Sequence, residues 1–256
     1  MIDIHSHILP ELDDGPNTLA SSIAMAQRAL KEGIHTIIAT PHHLDGHFIN
    51  QGKKIEQAVE QLNDLLQEEN VPLKVLTGQE SRINGDMIER LRREEIIPLN
   101  NSKYVYVELP SNHIPNYTSQ VLFDMQVLGY KPIIVHPERN ISLTENPDQL
   151  YRLVKNGALT QITAASLVGK LGKKIQRFSI DLIDHNLTHF IASDAHNTNS
   201  RGFHLDEAYH YMNKVFGSSM VFQFKENVEK VVENQSVIGD QPIRIKQRKL
   251  FGMIKR

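Results

Sequence analysis

The sequence has 256 residues, 40% of them hydrophobic and 23% charged, with a formal net charge of −2. This composition is typical of a globular protein with a substantial core, and the near-zero charge predicts no general attraction to nucleic acids or membrane surfaces. The sequence contains no cysteine, which excludes disulfides, thiolate metal sites and a cysteine nucleophile. It also lacks a signal-peptide pattern and any run of roughly 18 apolar residues, so we expect a cytoplasmic protein that is not an integral membrane protein.

Short β-rich runs alternate with helical patterns along the chain. The first run, 1–5, precedes an amphipathic helix predicted over 18–33, which Gly33 ends. Later strands are predicted at 36–40, 73–77, 104–109, 131–136, 158–163 and 188–193, and further helices at 54–70, 87–95, 118–130 and 148–157. Strands that alternate with helices form parallel sheets. Seven such units predict one α/β domain over residues 1–256, a distorted TIM-like (β/α)7 barrel. A doubly wound open sheet is the alternative, although no Gly-rich phosphate loop follows any strand.

Six of the seven predicted strands end in side chains that can bind metal ions. The chain contains 13 histidines, and several of them stand at strand ends together with carboxylates. The strand-end residues, with one aspartate from the loop after the first strand, are His5, His7, Asp14, His42, His43, Glu80, Glu108, His136, Asp194 and His196. The carboxyl ends of parallel strands meet on one face of a barrel. We therefore expect these side chains to converge on one site.

The spacing within two of these motifs supports a metal site. In "HSH" (5–7) and "DAH" (194–196) the polar residues are two positions apart, so both point to the same side of a strand. The nine candidate ligands are His5, His7, Asp14, His42, Glu80, Glu108, His136, Asp194 and His196. Nine ligands suit two or three ions, with a carboxylate such as Glu80 bridging a pair roughly 3.5–4 Å apart. One "HxH" motif alone is weak evidence, but clustering so many ionisable groups without metal would be unfavourable.

Taken together, these motifs resemble a known family. "IDIHSH", "TPHH", a strand-end Glu, "HPER" and "SDAH" are similar to the motifs of the PHP (polymerase and histidinol phosphatase) family of metal-dependent phosphoesterases. More narrowly, "MIDIHSHILPELDDGP" and "GIHTIIATPHH" resemble the bacterial protein-tyrosine phosphatases of capsule and exopolysaccharide operons, which oppose a tyrosine autokinase. The similarity runs from Met1 to about Asn227.

The resemblance implies a PHP-type barrel with a trinuclear metal site. The implied division is His5, His7, Glu80 and Asp194 at one ion, Glu80, Glu108 and His136 at a second, and Asp14, His42 and His196 at a third. The family's usual metal is manganese, and ligands without thiolate are also compatible with iron or zinc. Asp14 is preferred over Asp13, and His42 over His43, on the family's pattern, because the sequence alone decides neither.

The resemblance also implies a reaction, the hydrolysis of phosphotyrosine in proteins by metal-activated hydroxide. Arg139 and Arg201 are the predicted catalytic residues, because both follow a strand-end histidine and guanidinium groups match phosphate oxygens.

The expected partner is a phosphotyrosine-bearing protein, a membrane-associated bacterial tyrosine kinase, and no nucleic acid is expected. Two alternatives stay open: a small-molecule phosphatase, such as a histidinol-phosphate phosphatase, and a non-catalytic metal-binding scaffold. The oligomeric state is undetermined, and a homo-oligomer is compatible with the sequence.

The final segment, 244–256 ("RIKQRKLFGMIKR"), mixes basic and apolar residues. A segment of this kind can lie on an anionic membrane surface or dock on an acidic partner. A solvated terminal segment is the simpler interpretation.

Overall fold

The computed structural model describes residues 1–237 and 239–246. Strands and helices alternate along the chain, as the sequence predicts. The strands are β1 (Ile2–Ser6), β2 (Thr36–Ala39), β3 (His42–His43), β4 (Lys74–Thr77), β5 (Glu80–Arg82), β6 (Tyr104–Glu108), β7 (Lys131–Val135), β8 (Leu159–Thr163) and β9 (Phe190–Ala192). The α-helices are α1 (Leu19–Lys31), α2 (Gly52–Glu68), α3 (Met87–Arg92), α4 (Thr118–Val127), α5 (Ile141–Glu145), α6 (Pro147–Lys155), α7 (Ala164–Leu167), α8 (Lys173–Asp184), α9 (Leu205–Phe216) and α10 (Ser218–Val232). Short 3₁₀ turns cover Leu99–Asn101 and Pro137–Arg139.

Hydrogen bonding joins these strands into a closed parallel barrel. One sheet has the order β1-β2-β4, and the other has the order β3-β5-β6-β7-β8-β9. Residues 40–41 alone separate β2 from β3, and residues 78–79 alone separate β4 from β5, so each pair is one bent strand that passes between the sheets. A parallel bridge from Ser6 to Ala195 joins β1 to the end of β9. The predicted α/β barrel is confirmed, and the open doubly wound alternative is wrong because the first strand meets the last. That residues 1–256 form one domain stays a prediction.

The bend between β4 and β5 depends on a glycine and a glutamine. A Cβ atom on Gly78 would lie 2.6 Å from Cγ2 of Ile38, so only glycine allows this close approach. Gln79 then fixes the bend, because its side chain donates to the carbonyl oxygen of Asn50 (2.6 Å) and accepts from the backbone N–H of Ile97 (3.1 Å). The bend carries the next residue, Glu80, to the polar end of the barrel.

Alternation along the strands separates two apolar clusters. In β6, Tyr104 and Tyr106 belong to a smaller cluster that includes part of α10, whereas Val105 and Val107 belong to the larger cluster that contains the buried faces of the other helices. Helix α10 contacts β1 and β9 and lies beside Met1, at the amino ends of the strands. The core therefore closes that end of the barrel and leaves the carboxyl ends for polar side chains.

The part of the chain after residue 157 differs most from expectation. No helix is predicted there, whereas the structure has α7, α8, α9 and α10. Helix α7 has only four residues, which is too short for a periodic pattern. A single residue, Gly217 (φ 86°), separates α9 from α10, so the two helices run together in the sequence.

The segment after α10 packs along the outside of the barrel. The N–H of Ile243 donates to the carbonyl oxygen of His185 (2.8 Å). Arg244 pairs with Asp148, and its guanidinium lies 4.3 Å from the centre of the Tyr151 ring. The rest of the basic segment, 247–256, is outside the described residues, so its role stays a prediction. Within the described ranges, no helix combines the length and apolar character needed to cross a membrane.

Candidate metal centre

The strand ends bring all nine predicted ligands to one end of the barrel. Six of them are buried: His5, His7, Glu80, Glu108, Asp194 and His196. His42 and His136 are half-buried, and Asp14 is exposed. A cluster of this size, shielded from water, requires compensating charge for its carboxylates.

Glu80 lies at the centre of the cluster and is fully buried. Its Oε2 atom lies 3.2 Å from His5 Nε2, 3.3 Å from His7 Nε2 and 3.0 Å from His42 Nδ1, and its Oε1 atom lies 2.7 Å from His136 Nε2. Burial alone would raise the pKa of Glu80, but the imidazoles around it outweigh burial and hold this pKa well below its usual value. Glu80 is therefore an ionised carboxylate placed between several imidazoles.

Asp194 forms a second centre of contacts beside Glu80. Its Oδ1 atom lies 3.2 Å from His7 Nε2, 3.5 Å from His5 Nε2 and 3.6 Å from His196 Nδ1. Burial favours a raised pKa for Asp194, but Arg139 and the neighbouring imidazoles lower this pKa well below its usual value. The Asp194 carboxylate is therefore also ionised.

Asp14 lies at the outer side of the cluster. Its Oδ1 atom is 3.1 Å from His196 Nε2 and 3.6 Å from His42 Nε2, and its Oδ2 atom accepts from Arg201 Nη1 at 2.6 Å. Partial burial opposes ionisation, but the His196 and Arg201 side chains lower the pKa of Asp14 below its usual value. The exposed position leaves this side of the cluster accessible from solvent.

Three groups of these side chains have ligand atoms close enough to hold an ion. The groups, whose ligand atoms lie within 4.8 Å of one another, are His5 with His7, Glu80 and Asp194; His7 with Asp14, His42 and His196; and His42 with Glu80 and Glu108. The first group is the same as the first set that the resemblance implies. The second group contains the implied residues Asp14, His42 and His196, and His7 in addition. In the third group, His42 stands beside Glu80 and Glu108, where the resemblance implies His136. Among the carboxylates of the described cluster, His136 contacts only Glu80.

Unpaired nitrogens test whether these groups suit a metal. His7 Nε2 and His42 Nδ1 are buried and make no hydrogen bond within the described part of the chain. Both atoms point at carboxylate oxygens, and a buried nitrogen without a partner is unfavourable. A divalent cation would satisfy the nitrogens and the carboxylates together, so the residues fit a metal centre.

The structure places Asp13 and His43 differently from Asp14 and His42. The Oδ2 atom of Asp13 accepts from His7 Nδ1 at 2.6 Å and from the N–H of His42 at 2.9 Å. Although burial opposes it, the Asp13 carboxylate raises the pKa of His7 well above its usual value. Nδ1 of His43 accepts from the backbone N–H of Asn50 (3.1 Å), and burial lowers the pKa of His43 to about 4. Asp13 therefore supports His7, a predicted ligand, whereas His43 in β3 bonds to the neighbouring loop at Asn50.

Two further side chains, which the sequence motifs do not include, orient predicted ligands. Gln161 in β8 places its Oε1 atom 2.8 Å from His5 Nδ1, and Arg82 in β5 grips Glu108 with two hydrogen bonds. Metal-binding histidines commonly have such a partner on the second ring nitrogen. Arg82 stands two residues after Glu80, so strand alternation was the signal that could have identified it.

The two predicted arginines line a cavity of about 190 Å³ above the cluster. Nη2 of Arg139 donates to Oδ2 of Asp194 at 2.5 Å, and Arg201 bridges Asp14 and His196. The cavity walls also include the apolar residues Leu109, Val135 and Pro137. Positive charge and apolar surface therefore meet at the opening of the cluster.

Two of the predicted ligands occupy a backbone conformation that is unusual for residues other than glycine. His136 has φ 34° and Asp194 has φ 55°. Each is held by a hydrogen bond from its own N–H, to the carbonyl oxygen of Gln161 (2.7 Å) and of His5 (2.8 Å), respectively. Left-handed non-glycine residues are strained and concentrate at functional sites. Neighbouring strands therefore hold these residues in the conformation that turns their side chains into the cluster.

Known proteins match both the sequence and the fold. A family model for capsular polysaccharide synthesis proteins, CpsB/CapC, matches residues 1–233. The chain is 47% identical over 252 residues to the tyrosine-protein phosphatase YwqE of Bacillus subtilis (strain 168), covering 98% of this chain and 99% of that protein. It is 30% identical over 243 residues to the tyrosine-protein phosphatase CpsB of Streptococcus agalactiae serotype III (strain NEM316), covering 93% and 100% of the two chains.

Solved structures give the same relationship. The crystal structures of YwqE from Bacillus subtilis and CpsB from Streptococcus pneumoniae, described as unique metal-dependent tyrosine phosphatases, include a chain 46% identical to this one. The two superpose with a TM-score of 0.95, covering 96% of this chain and 100% of the other. An organophosphorus hydrolase from Deinococcus radiodurans, 12% identical with a TM-score of 0.55 over 92% of each chain, shares the fold alone. The resemblance indicated by the motifs is confirmed: the chain belongs to the CpsB/CapC family of capsular polysaccharide synthesis proteins.

Proposed function

We propose that this chain is a metal-dependent protein-tyrosine phosphatase of capsular polysaccharide synthesis. The observation that carries the proposal is the buried cluster of imidazoles and carboxylates around Glu80, in a chain 47% identical over nearly its whole length to a tyrosine-protein phosphatase. The sequence has no cysteine, so a phosphocysteine intermediate is excluded. Hydrolysis then requires water activated at the cluster.

The donor atoms of the cluster suit Mn²⁺. Imidazole nitrogens and carboxylate oxygens without thiolate are ligands for manganese, and also for iron and zinc. Each four-membered group would hold one ion, and the His42, Glu80 and Glu108 group, with His136 nearby, would hold a third. Bound divalent ions supply an acidified water and positive charge for the phosphoryl oxygens.

Arg139 and Arg201 orient the phosphate in this proposal. Both line the cavity above the cluster, and each contacts a carboxylate through only part of its guanidinium. A guanidinium group has five N–H donors, so others are left for phosphoryl oxygens. These arginines place the phosphate against the cluster and offset the charge that develops during transfer.

An aryl phosphate suits this cavity for two reasons. Its apolar wall of Leu109, Val135 and Pro137 offers contact surface to a phenyl ring. A tyrosine phenolate, with a pKa of about 10, leaves without strong general-acid assistance. The proposed substrate is therefore phosphotyrosine in a protein.

The proposed partner is a membrane-associated bacterial tyrosine kinase, whose phosphotyrosines the chain would remove in the cytoplasm. The family match to capsular polysaccharide synthesis proteins supports a substrate in that system. A homo-oligomer is compatible with this role.

A substrate comparison with metal control tests the proposal. Purified protein, stripped with chelator and reloaded with Mn²⁺, is assayed on a phosphotyrosyl peptide, the matched phosphoseryl peptide and histidinol phosphate. We expect the phosphotyrosyl peptide to have the highest kcat/KM, and chelator to abolish turnover. Preference for histidinol phosphate would identify a small-molecule phosphatase, and no turnover of any substrate with metal bound would indicate a scaffold.

Two variants separate metal binding from phosphate binding. His5→Ala should lose bound metal and activity together, because His5 contacts both Glu80 and Asp194. Arg139→Ala should keep its metal and lose about 10²–10³-fold in kcat, which is the usual effect of removing one electrostatic contact to the transition state. Arg93→Ala, which removes an exposed arginine on the end of α3, is the matched control. Full activity in both site variants would contradict the proposed roles.

A further inference from the structure

Three arginines surround the metal centre, and each pairs with a different carboxylate. The pairs, with their N–O distances, are Arg201–Asp14 (2.6 Å), Arg139–Asp194 (2.5 Å) and Arg82–Glu108 (2.9 Å). Glu80, at the centre, contacts imidazoles instead. The sequence predicts two members of this set, and Arg82 is the third.

Arg82 differs from the other two arginines in its position. Arg139 and Arg201 line the cavity that receives the phosphate, whereas Arg82 is absent from the described residues of its lining. Arg82 is instead the register partner of Glu108 in the parallel pair of β5 and β6. Its side chain is 23% exposed and that of Glu108 is 9% exposed. Arg82 therefore contacts the carboxylate of Glu108 and does not line the cavity.

The contact between Arg82 and Glu108 fixes the rotation of the carboxylate. Nε of Arg82 donates to Oε2 at 3.0 Å, and Nη2 donates to Oε1 at 2.9 Å. A two-point contact of this kind holds a carboxylate in one plane. Each carboxylate oxygen has two acceptor sites, so the contact leaves one site on each oxygen for a cation.

Glu108 also requires a positively charged partner, because it lies next to another buried carboxylate, that of Glu80. Glu80 and Glu108 belong to one three-membered group with His42, and like charges at this distance repel. Within the described ranges, the carboxylate of Glu108 accepts hydrogen bonds from Arg82 alone. Without Arg82, repulsion from Glu80 would turn Glu108 away from the group.

We propose that Arg82 is a positioning residue that holds Glu108 ready for the ion shared with His42 and Glu80, and that it takes no part in binding phosphate. The inference rests on the proposed function only in that the cluster binds metal. Arg82 thereby controls whether the third position is filled, while the position formed by His5, His7, Glu80 and Asp194 is filled without it.

The test compares Arg82→Gln with Arg82→Lys and with Arg139→Lys. Metal-free protein is titrated with Mn²⁺, bound ions per chain are counted by native mass spectrometry, and inorganic phosphate serves as the probe of anion binding. We expect Arg82→Gln to weaken one class of Mn²⁺ site by 10–100-fold, the usual effect of losing a residue that supports a ligand. Arg82→Lys should give an intermediate loss, because lysine keeps the charge without the two-point contact. Arg139→Lys should keep all Mn²⁺ sites and bind phosphate more weakly.

A double variant shows whether Arg82 acts through Glu108. Glu108→Gln alone should weaken the same class of site, and adding Arg82→Gln to it should weaken that site no further. Thermal unfolding of the metal-free variants identifies any that fail to fold, and Arg82→Lys is then the informative one. Unchanged Mn²⁺ binding in Arg82→Gln, additive losses in the double variant, or a loss of phosphate binding with metal retained would each overturn the proposal. These readouts do not require turnover, so they are independent of whether phosphotyrosine is the substrate.

Discussion

Asp13→Asn is the substitution that best separates a supporting carboxylate from a ligand. Asp13 is buried, its Oδ2 atom accepts from His7 Nδ1 (2.6 Å) and the N–H of His42 (2.9 Å), and its Oδ1 atom accepts from the N–H of Gly15 (3.0 Å). Asparagine has one acceptor oxygen and places an NH₂ group where the other oxygen stood. One set of donors must therefore lose its acceptor.

The expected magnitude follows from this geometry. His7 lies in two of the three ligand groups, so its misorientation affects both. Loss of a partner that supports a metal-binding histidine commonly weakens metal affinity by 10–100-fold, which corresponds to about 1.4–2.7 kcal/mol. The unsatisfied buried donor should also lower the free energy of unfolding of the metal-free protein by about 1–3 kcal/mol.

The assay is a Mn²⁺ titration of metal-free protein, followed by calorimetry, with Asp14→Asn as the comparison. Asp13→Asn should keep the number of ions and weaken their binding, because the ligands remain. Asp14→Asn should lose an ion, because it alters a carboxylate that faces two imidazoles directly. Unchanged affinity in Asp13→Asn, or loss of an ion there and not in Asp14→Asn, would refute the reasoning.

Three further predictions concern pH and the loop after β1. Although burial opposes it, neighbouring carboxylates raise the pKa of His5 and His7 in the metal-free cluster. Protons therefore compete with Mn²⁺, whose affinity should fall from about pH 8 to about pH 5 in calorimetric titrations; constant affinity would contradict imidazole ligation. Gly15→Ala would place a Cβ 2.3 Å from the carbonyl oxygen of His7, so we expect this variant to bind Mn²⁺ at least about 10-fold more weakly. The control is Gly85→Ala, whose Cβ would meet nothing within 4 Å. Equal Mn²⁺ binding by the two variants would contradict this prediction. Burial lowers the pKa of His189 to about 4, so the unfolded chain binds more protons between about pH 6.5 and 4. As the pH falls through this range, the free energy of unfolding should decrease by up to about 3 kcal/mol. Urea unfolding of His189→Asn should show a smaller decrease.

The sequence is informative about the ligands because each follows from a local rule. His5 and His7 stand at the end of a β-rich run, and strand alternation puts both on one side. Parallel pairing then brings the ends of distant strands to one face, which is why Glu80 and His136 are predicted together although 56 positions separate them.

The partners of the supporting residues follow from no such local rule, even where alternation places the residue on the right face, as for Arg82. Arg82 and Gln161 are ordinary polar residues of their strands, and only the register with a neighbouring strand or the barrel interior gives each its partner. The choice between Asp13 and Asp14 depends on the turn before Gly15, which sends one carboxylate inward and the other to the surface. Predicting such details requires relative strand positions to within about an ångström, which periodicity does not supply.

The join between β1 and β9 has a consequence for how the protein is made. Ser6 and Ala195 are neighbours in the barrel although they are 189 positions apart, so the first strand waits for its partner during synthesis. At about 5–20 residues per second, that wait is about 10–40 s, and such distant pairings also form slowly. Asp194 and His196 follow the last strand of the barrel, so a nascent chain cannot assemble its complete metal centre until residue 196 has emerged. Order of synthesis thus delays hydrolysis until the barrel can close.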